Sequence, residues 1–260
     1  MNNVNKTLYI PLYGKALVSK KGLFIKDERA EKIWDTEGFA LKGKSKSKWL
    51  AYYLGVRAAV FDGWVKEKIE EMPSAAVVHI GCGLDSRVER VGAENVKWFD
   101  LDFPEVIEER KRYFSESDNY KMLPSNAVEC DWIKKIDSDS LIVVMEGVSM
   151  YIPEEALRGM FLKIGEHFEK VALLTDCYST FAAKMSKYRN PINDVGVSLV
   201  YGIDEPERLS VENLEFLAER EMTPTEYINE LSGMEKRVFK KLYAGKFASK
   251  LYRLFEYKKS

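Results

Sequence analysis

The chain has 260 residues, 46% of them hydrophobic, and carries 40 Lys and Arg against 41 Asp and Glu, a formal net charge of −1. That is ample apolar material for a large buried core, and the balanced charge excludes a global basic field that would recruit nucleic acid. Cys82, Cys130 and Cys177 are odd in number and form no CxxC, which excludes a disulfide scaffold and a cysteine zinc site, and two histidines, His79 and His167, leave Ser-His-Asp or His-metal chemistry poorly supplied.

The opening stretch, MNNVNKTLYIPLYGKALVSKKGLF, breaks its apolar residues with Pro11, Gly14 and Lys15 and reads as no signal peptide. No apolar run approaches the roughly 20 residues needed to cross a bilayer. The expectation is a cytoplasmic protein with no membrane and no nucleic-acid partner. Residues 1–72 read as helical: an amphipathic helix over 26–35, a basic solvated connection at 41–50 and a long helix over 49–72. The last keeps Leu50, Leu54, Phe61 and Val65 on one stripe and stops at Pro73.

From Ala75 the texture changes. Continuous apolar runs at 75–80, 96–102, 141–146 and 171–176 read as strands buried on both faces, hence a parallel sheet. Helix-like segments at 86–92, 104–117 and 153–168 alternate with them, which predicts a doubly wound α/β fold. The looser 177–213 reads as an insertion over the sheet's carboxyl edge, and 214–260 as the completion of the sheet. The expected division of a single 1–260 domain is therefore a helical lid (1–72), an α/β core (73–176 and 214–260) and the insertion.

Open α/β sheets bind ligands at the carboxyl ends of their strands. These runs place there the turn Gly81-Cys82-Gly83, then Asp100 and Asp102, Glu146 and Asp176. A dinucleotide fingerprint wants a third glycine, but Ser86 stands in its place, and Asp85 would repel a diphosphate. An acid about 20 residues onward still suits a ribose diol. The ligand that fits is an adenosine without phosphates, S-adenosylmethionine. Arg57 falls on the apolar stripe of its helix and needs an anion there. Either the cofactor's carboxylate or a protein carboxylate such as Asp85 would serve. Trp132 either flanks an adenine or closes the core, and His79 reads as packed and neutral.

The segments LYIPLYGKAL, VVHIGCGLDSR, WFDLDFPEVIEERKRYF and EGVSMYI resemble the leucine carboxyl methyltransferase family, closest to its bacterial branch of tetracenomycin-type polyketide O-methyltransferases. The resemblance implies a class I S-adenosylmethionine-dependent methyltransferase: a Rossmann-like, seven-stranded, mostly parallel sheet with an N-terminal helical lid and an insertion after strand five. It implies cofactor contacts at Arg57 for the carboxylate, at Gly81, Cys82 and Gly83 for the turn, at Asp102 (with Asp100 beside it) for the ribose, and at Glu146 near the methionine end. Backbone around Ala127 and Val128 would meet the adenine, where the protein-phosphatase branch has an acid. No metal is implied, and the acceptor does not carry over. A carboxylate acceptor would need no base; a phenol would draw on Tyr151, Glu146 or Asp176. Set against a small-molecule O-methyltransferase stand an NAD-dependent oxidoreductase, on the Gly-x-Gly turn alone, a non-catalytic cofactor-binding module, and a protein C-terminal carboxyl methyltransferase.

Overall fold

The computed structural model describes residues 8–38, 41, 43–93, 95–189 and 199–260. Parts of the expected lid (1–7), basic connection (42) and insertion (190–198) lie outside the described residues.

Three helices precede the sheet: α1 (Tyr9–Lys20), α2 (Glu28–Glu37) and α3 (Lys48–Glu71). Asp27 caps α2 by accepting from the Ala30 N–H at 2.8 Å, which satisfies a helix donor that would otherwise lack a partner. The α/β part follows as β1 (Ala76–Ile80), α4 (Arg87–Val91), β2 (Trp98–Asp102), α5 (Pro104–Arg110), β3 (Tyr120–Pro124), β4 (Ser140–Met145), α6 (Glu154–His167), β5 (Lys170–Tyr178), α7 (Thr180–Arg189), β6 (Glu215–Arg220), α8 (Thr225–Glu230), α9 (Gly233–Tyr243) and β7 (Tyr252–Lys259). The seven strands lie in the order β3-β2-β1-β4-β5-β7-β6. β7 runs antiparallel to both of its neighbours, and the other printed pairings are parallel. The mostly parallel, doubly wound sheet expected from the continuous apolar runs is present.

Strand alternation divides the core. Val77, Ile142, Val144 and Leu174 pack on one face with Phe61 and Trp64 of α3. Val78, Val143, Met145 and Leu173 pack on the other with Phe161 of α6 and Trp132. Successive side chains point to opposite faces, so strands covered on both sides must be apolar throughout. Trp132 is fully buried and its indole N–H donates to the Ala127 carbonyl at 2.9 Å: it closes the core.

Several boundaries differ from expectation. β3 shows no continuous apolar run to announce it, because YKMLP lies at the sheet edge and exposes Lys121 and Pro124. β5 runs on to Tyr178 instead of stopping at Asp176. The helix expected over 104–117 ends at Arg110, ahead of a Ser-, Asp- and Asn-rich stretch that favours turns. Residues 225–243 form two helices, α8 and α9, and not one, because Leu231 and Ser232 turn extended and Leu231 is buried.

The leading helices are held at close range. A Cβ at Gly55 would stand 2.8 and 2.9 Å from the two methyls of Val18 and 3.1 Å from the Phe24 ring. Gly55→Val should therefore overpack the α1–α3 contact and cost about 1–3 kcal/mol in urea unfolding.

Candidate active site

The sheet order reverses between β1 and β4, and a cavity of about 820 Å³ opens at their carboxyl ends. The Gly81-Cys82-Gly83 turn forms its floor. Gly81 has φ +68°, and a Cβ there would fall 2.2 Å from a Val148 methyl, so no other residue fits. The Cys82 thiol, buried in the turn, is pushed well up and stays neutral. The Gly83 N–H and the Phe103 N–H each donate to the Asp102 carboxylate at 2.8 Å. These two bonds aim Asp102 at the cavity wall, where burial still raises it to about 6 against their opposing effect.

Asp100, expected beside Asp102, does not line the cavity. Both lie on the same face of β2, but Asp100 is two residues short of the strand end and fully buried. Its carboxylate receives the Arg110 guanidinium, the Tyr120 hydroxyl (2.7 Å) and the Trp98 indole N–H (2.8 Å). Arg110 also donates to the Gly83 carbonyl at 3.0 Å, so Asp100 acts on the turn from behind. Val128 is likewise off the wall; Ser125, Asn126 and Ala127 are on it.

Arg57 points inward. Its Nε and Nη2 meet Glu146 Oε1 at 3.0 and 2.9 Å, while Nη1 donates to the Tyr252 hydroxyl at 2.8 Å and lies 3.2 Å from Asp176. It does not pair with Asp85. That acid instead meets Lys15 at 2.8 Å and Arg90, and it is not the cap of α4, whose N-cap is Ser86. Arg87 links the set: Nε donates to Asp62 at 2.7 Å, Nη2 contacts Glu146, and Nη1 lies 3.2 Å from His79 Nε2. An arginine can only donate, so His79 Nε2 accepts and the ring proton sits on Nδ1. Burial lowers the His79 pKa, and the ring is neutral.

The network thus joins Lys15, Arg57, Arg87 and Arg90 to Asp27, Asp62, Asp85, Glu146 and Asp176, with every one of these side chains less than 10% exposed. Burial pushes Asp85 and Glu146 up, but the surrounding cations win and hold both well below the usual carboxylate range. At Asp176 the balance reverses: burial outweighs Arg57 and the Tyr252 hydrogen bond, and its pKa is raised. The Gly147 N–H donates to Asp176 at 2.8 Å and fixes the turn after β4. Lys15, Arg87 and Arg90 were not assigned a role from sequence. The argument applied to Arg57, a cation among apolar helix neighbours, would have found Lys15 between Leu12 and Ala16.

The far end of the cavity is apolar. Leu50 and Leu54 of α3, Tyr178, Phe181 and Met185 around α7, and Phe247 before β7 line it; Tyr151 also faces the cavity. Among the described lining residues the Lys and Arg side chains are Lys15 and Arg57, and both are already ion-paired. No group of acids, cysteines and histidines with metal-site geometry occurs among the described residues, and no described helix is long and apolar enough to cross a membrane.

The sequence family described as leucine carboxyl methyltransferase matches residues 3–165. The chain is similar to the tetracenomycin polyketide synthesis O-methyltransferase TcmP of Streptomyces glaucescens, 30% identical over 186 residues covering 70% of this chain and 69% of that one. A DUF574 family protein from Streptomyces avermitilis superposes with a TM-score of 0.59 at 8% identity, over 90% of each chain. The magnesium protoporphyrin IX methyltransferase ChlM from Synechocystis, with bound S-adenosylhomocysteine, superposes with a TM-score of 0.52 at 12% identity, over 95% of this chain and 97% of that one. At such identities these two structures speak for the fold.

Removing one member of a buried ion network leaves its partners uncompensated. Arg87→Met should lower unfolding stability by about 3–5 kcal/mol in urea titration; a loss under 1 kcal/mol would mean that the network relaxes around the gap.

Proposed function

The chain belongs to the leucine carboxyl methyltransferase family and is a S-adenosylmethionine-dependent methyltransferase, and on that premise we propose that it methylates an oxygen of a small, largely apolar acceptor. One observation carries the proposal: a single cavity with a charged end and an apolar, aromatic end. The charged end fits the cofactor. Asp102 offers a carboxylate, already oriented by two backbone N–H groups, for a ribose diol. The Arg57 and Lys15 cations retain donors for a carboxylate, and Glu146 and Asp85 offer acceptors for an ammonium. With all its members ionised, the network has five acids and four bases. A zwitterionic sulfonium with one net positive charge complements that excess.

S-adenosylmethionine supplies an electrophilic methyl group, whose transfer to oxygen leaves S-adenosylhomocysteine. The chain's own residues bind, align and exclude water. The leading segment 1–72 and the insertion 177–213 are read as the lid that selects the acceptor, since Leu50, Leu54, Phe181 and Met185 come from them. A carboxylate oxygen needs no base, consistent with a cavity whose one histidine is neutral and tied to Arg87. Three buried free cysteines favour a reducing, cytoplasmic setting.

Calorimetric titration with S-adenosylhomocysteine tests the cofactor assignment. Arg57→Met should weaken it by about 2–3 kcal/mol, a charge-assisted contact, yet leave 5′-methylthioadenosine, which lacks the amino-acid carboxylate, essentially unaffected. Equal losses for both ligands would mean that Arg57 serves only the fold.

The raised Asp102 pKa gives that affinity a sign. The ionised carboxylate accepts the ribose hydroxyls, so binding should be full above about pH 6 and fall as pH drops through it, by up to about tenfold per unit. Asp102→Asn should bind more weakly and with a flat profile over pH 5–8 (roughly the window set by that pKa).

A further inference from the structure

The net charge of −1 conceals a segregated one. Residues 233–251 hold six Lys and Arg against one acid, a local charge of +5. The acid, Glu235, is already engaged by Lys48 at 2.9 Å and by the Tyr52 hydroxyl at 3.0 Å. Elsewhere exposed cations pair readily, as in Arg29–Glu89, Arg112–Glu37 and Arg208–Glu154. Lys236, Arg237, Lys240, Lys241, Lys246 and Lys250 form no ion pair among the described residues.

Large apolar side chains protrude from the same region. Phe247 is 68% exposed, Phe181 55%, Leu242 53% and Met185 48%. Phe181 and Phe247 meet edge to face at 6.3 Å, which brings α7 and the segment after α9 together. Phe181, Met185 and Phe247 line the apolar end of the cavity, as do Tyr243 and Leu251, so the basic, apolar-studded segment adjoins that end.

We propose that this face docks the protein on an anionic lipid surface, with the cavity mouth turned toward the lipid. Five of the six cations of 236–250 are lysines. These are compact charges on flexible stems, suited to a diffuse anionic field, whereas a defined carboxylate partner favours the planar fork of arginine. The apolar side chains stand out from the surface, and a lipid interface receives protruding side chains without matching pockets. An apolar acceptor dissolved in that lipid would reach the cavity without crossing water. Docking itself does not depend on which acceptor is methylated.

Flotation with vesicles tests it, using phosphatidylcholine alone and phosphatidylcholine with about one-third phosphatidylglycerol. The full chain should float with the anionic vesicles, be released by about 0.5 M salt, and ignore the neutral ones. Lys240→Gln, Lys241→Gln and Lys246→Gln combined should weaken binding about 100-fold, and Leu242→Ser about tenfold. Both variants should bind S-adenosylhomocysteine as the parent does, since none of these residues lines the cavity. Three results would overturn docking: no flotation, equal flotation with neutral vesicles, or binding to polyglutamate as tight as to anionic vesicles and indifferent to Leu242→Ser. The last would identify an acidic protein partner instead. Failure of the parent to bind S-adenosylhomocysteine would count against the cofactor site alone and leave the flotation result readable.

Discussion

Glu146 is the point on which the structure turns. Its carboxylate sits just past the end of β4, buried, and takes Arg57 from α3 and Arg87 from α4, with Lys15 of α1 3.8 Å away. A carboxylate removed from water in this way is tolerable only where cations surround it. The leading helices are therefore tied to the carboxyl edge of the sheet by charge as well as by apolar contact. Because Arg57 also reaches Tyr252 and Asp176, the same tie extends to β5 and β7. Removing any one member would leave buried charge uncompensated, so the network ties these segments to one another.

That constraint also creates the site. Lys15 of α1 and Arg57 of α3 line the cavity together with the glycine turn and Asp102. Two carboxylates close in sequence take different parts. Asp100, locked to Arg110, supports the Gly83 carbonyl from behind, while Asp102, at the last position of β2, faces the cavity. Their pKa values move in opposite directions for the same reason. Burial raises both, but only Asp100 has a guanidinium in direct contact to overcome it. The apolar end is assembled from segments distant in sequence, α3, α7 and the approach to β7, none of which carries a chemical signature of its own.

The features legible before folding follow from local physics. Continuous apolar runs specify buried parallel strands, which is why β1, β2, β4 and β5 were legible, while the half-exposed β3 was not. The Gly81-Cys82-Gly83 turn and the acids beyond it were legible because strand ends place them together whatever else the chain does. An arginine on an apolar stripe announced that it needed an anion. Which anions answer was settled by packing: Glu146 and Asp176 rather than Asp85, with Lys15 and Arg90 taking Asp85 instead. The same holds for the retreat of Asp100 from the cavity. Ion pairing acts over a few ångströms in space between residues far apart in sequence, such as Arg57 and Glu146, 89 positions apart, or Lys48 and Glu235, 187 apart. No local pattern encodes such a distance; it exists only once the helices have closed on the sheet.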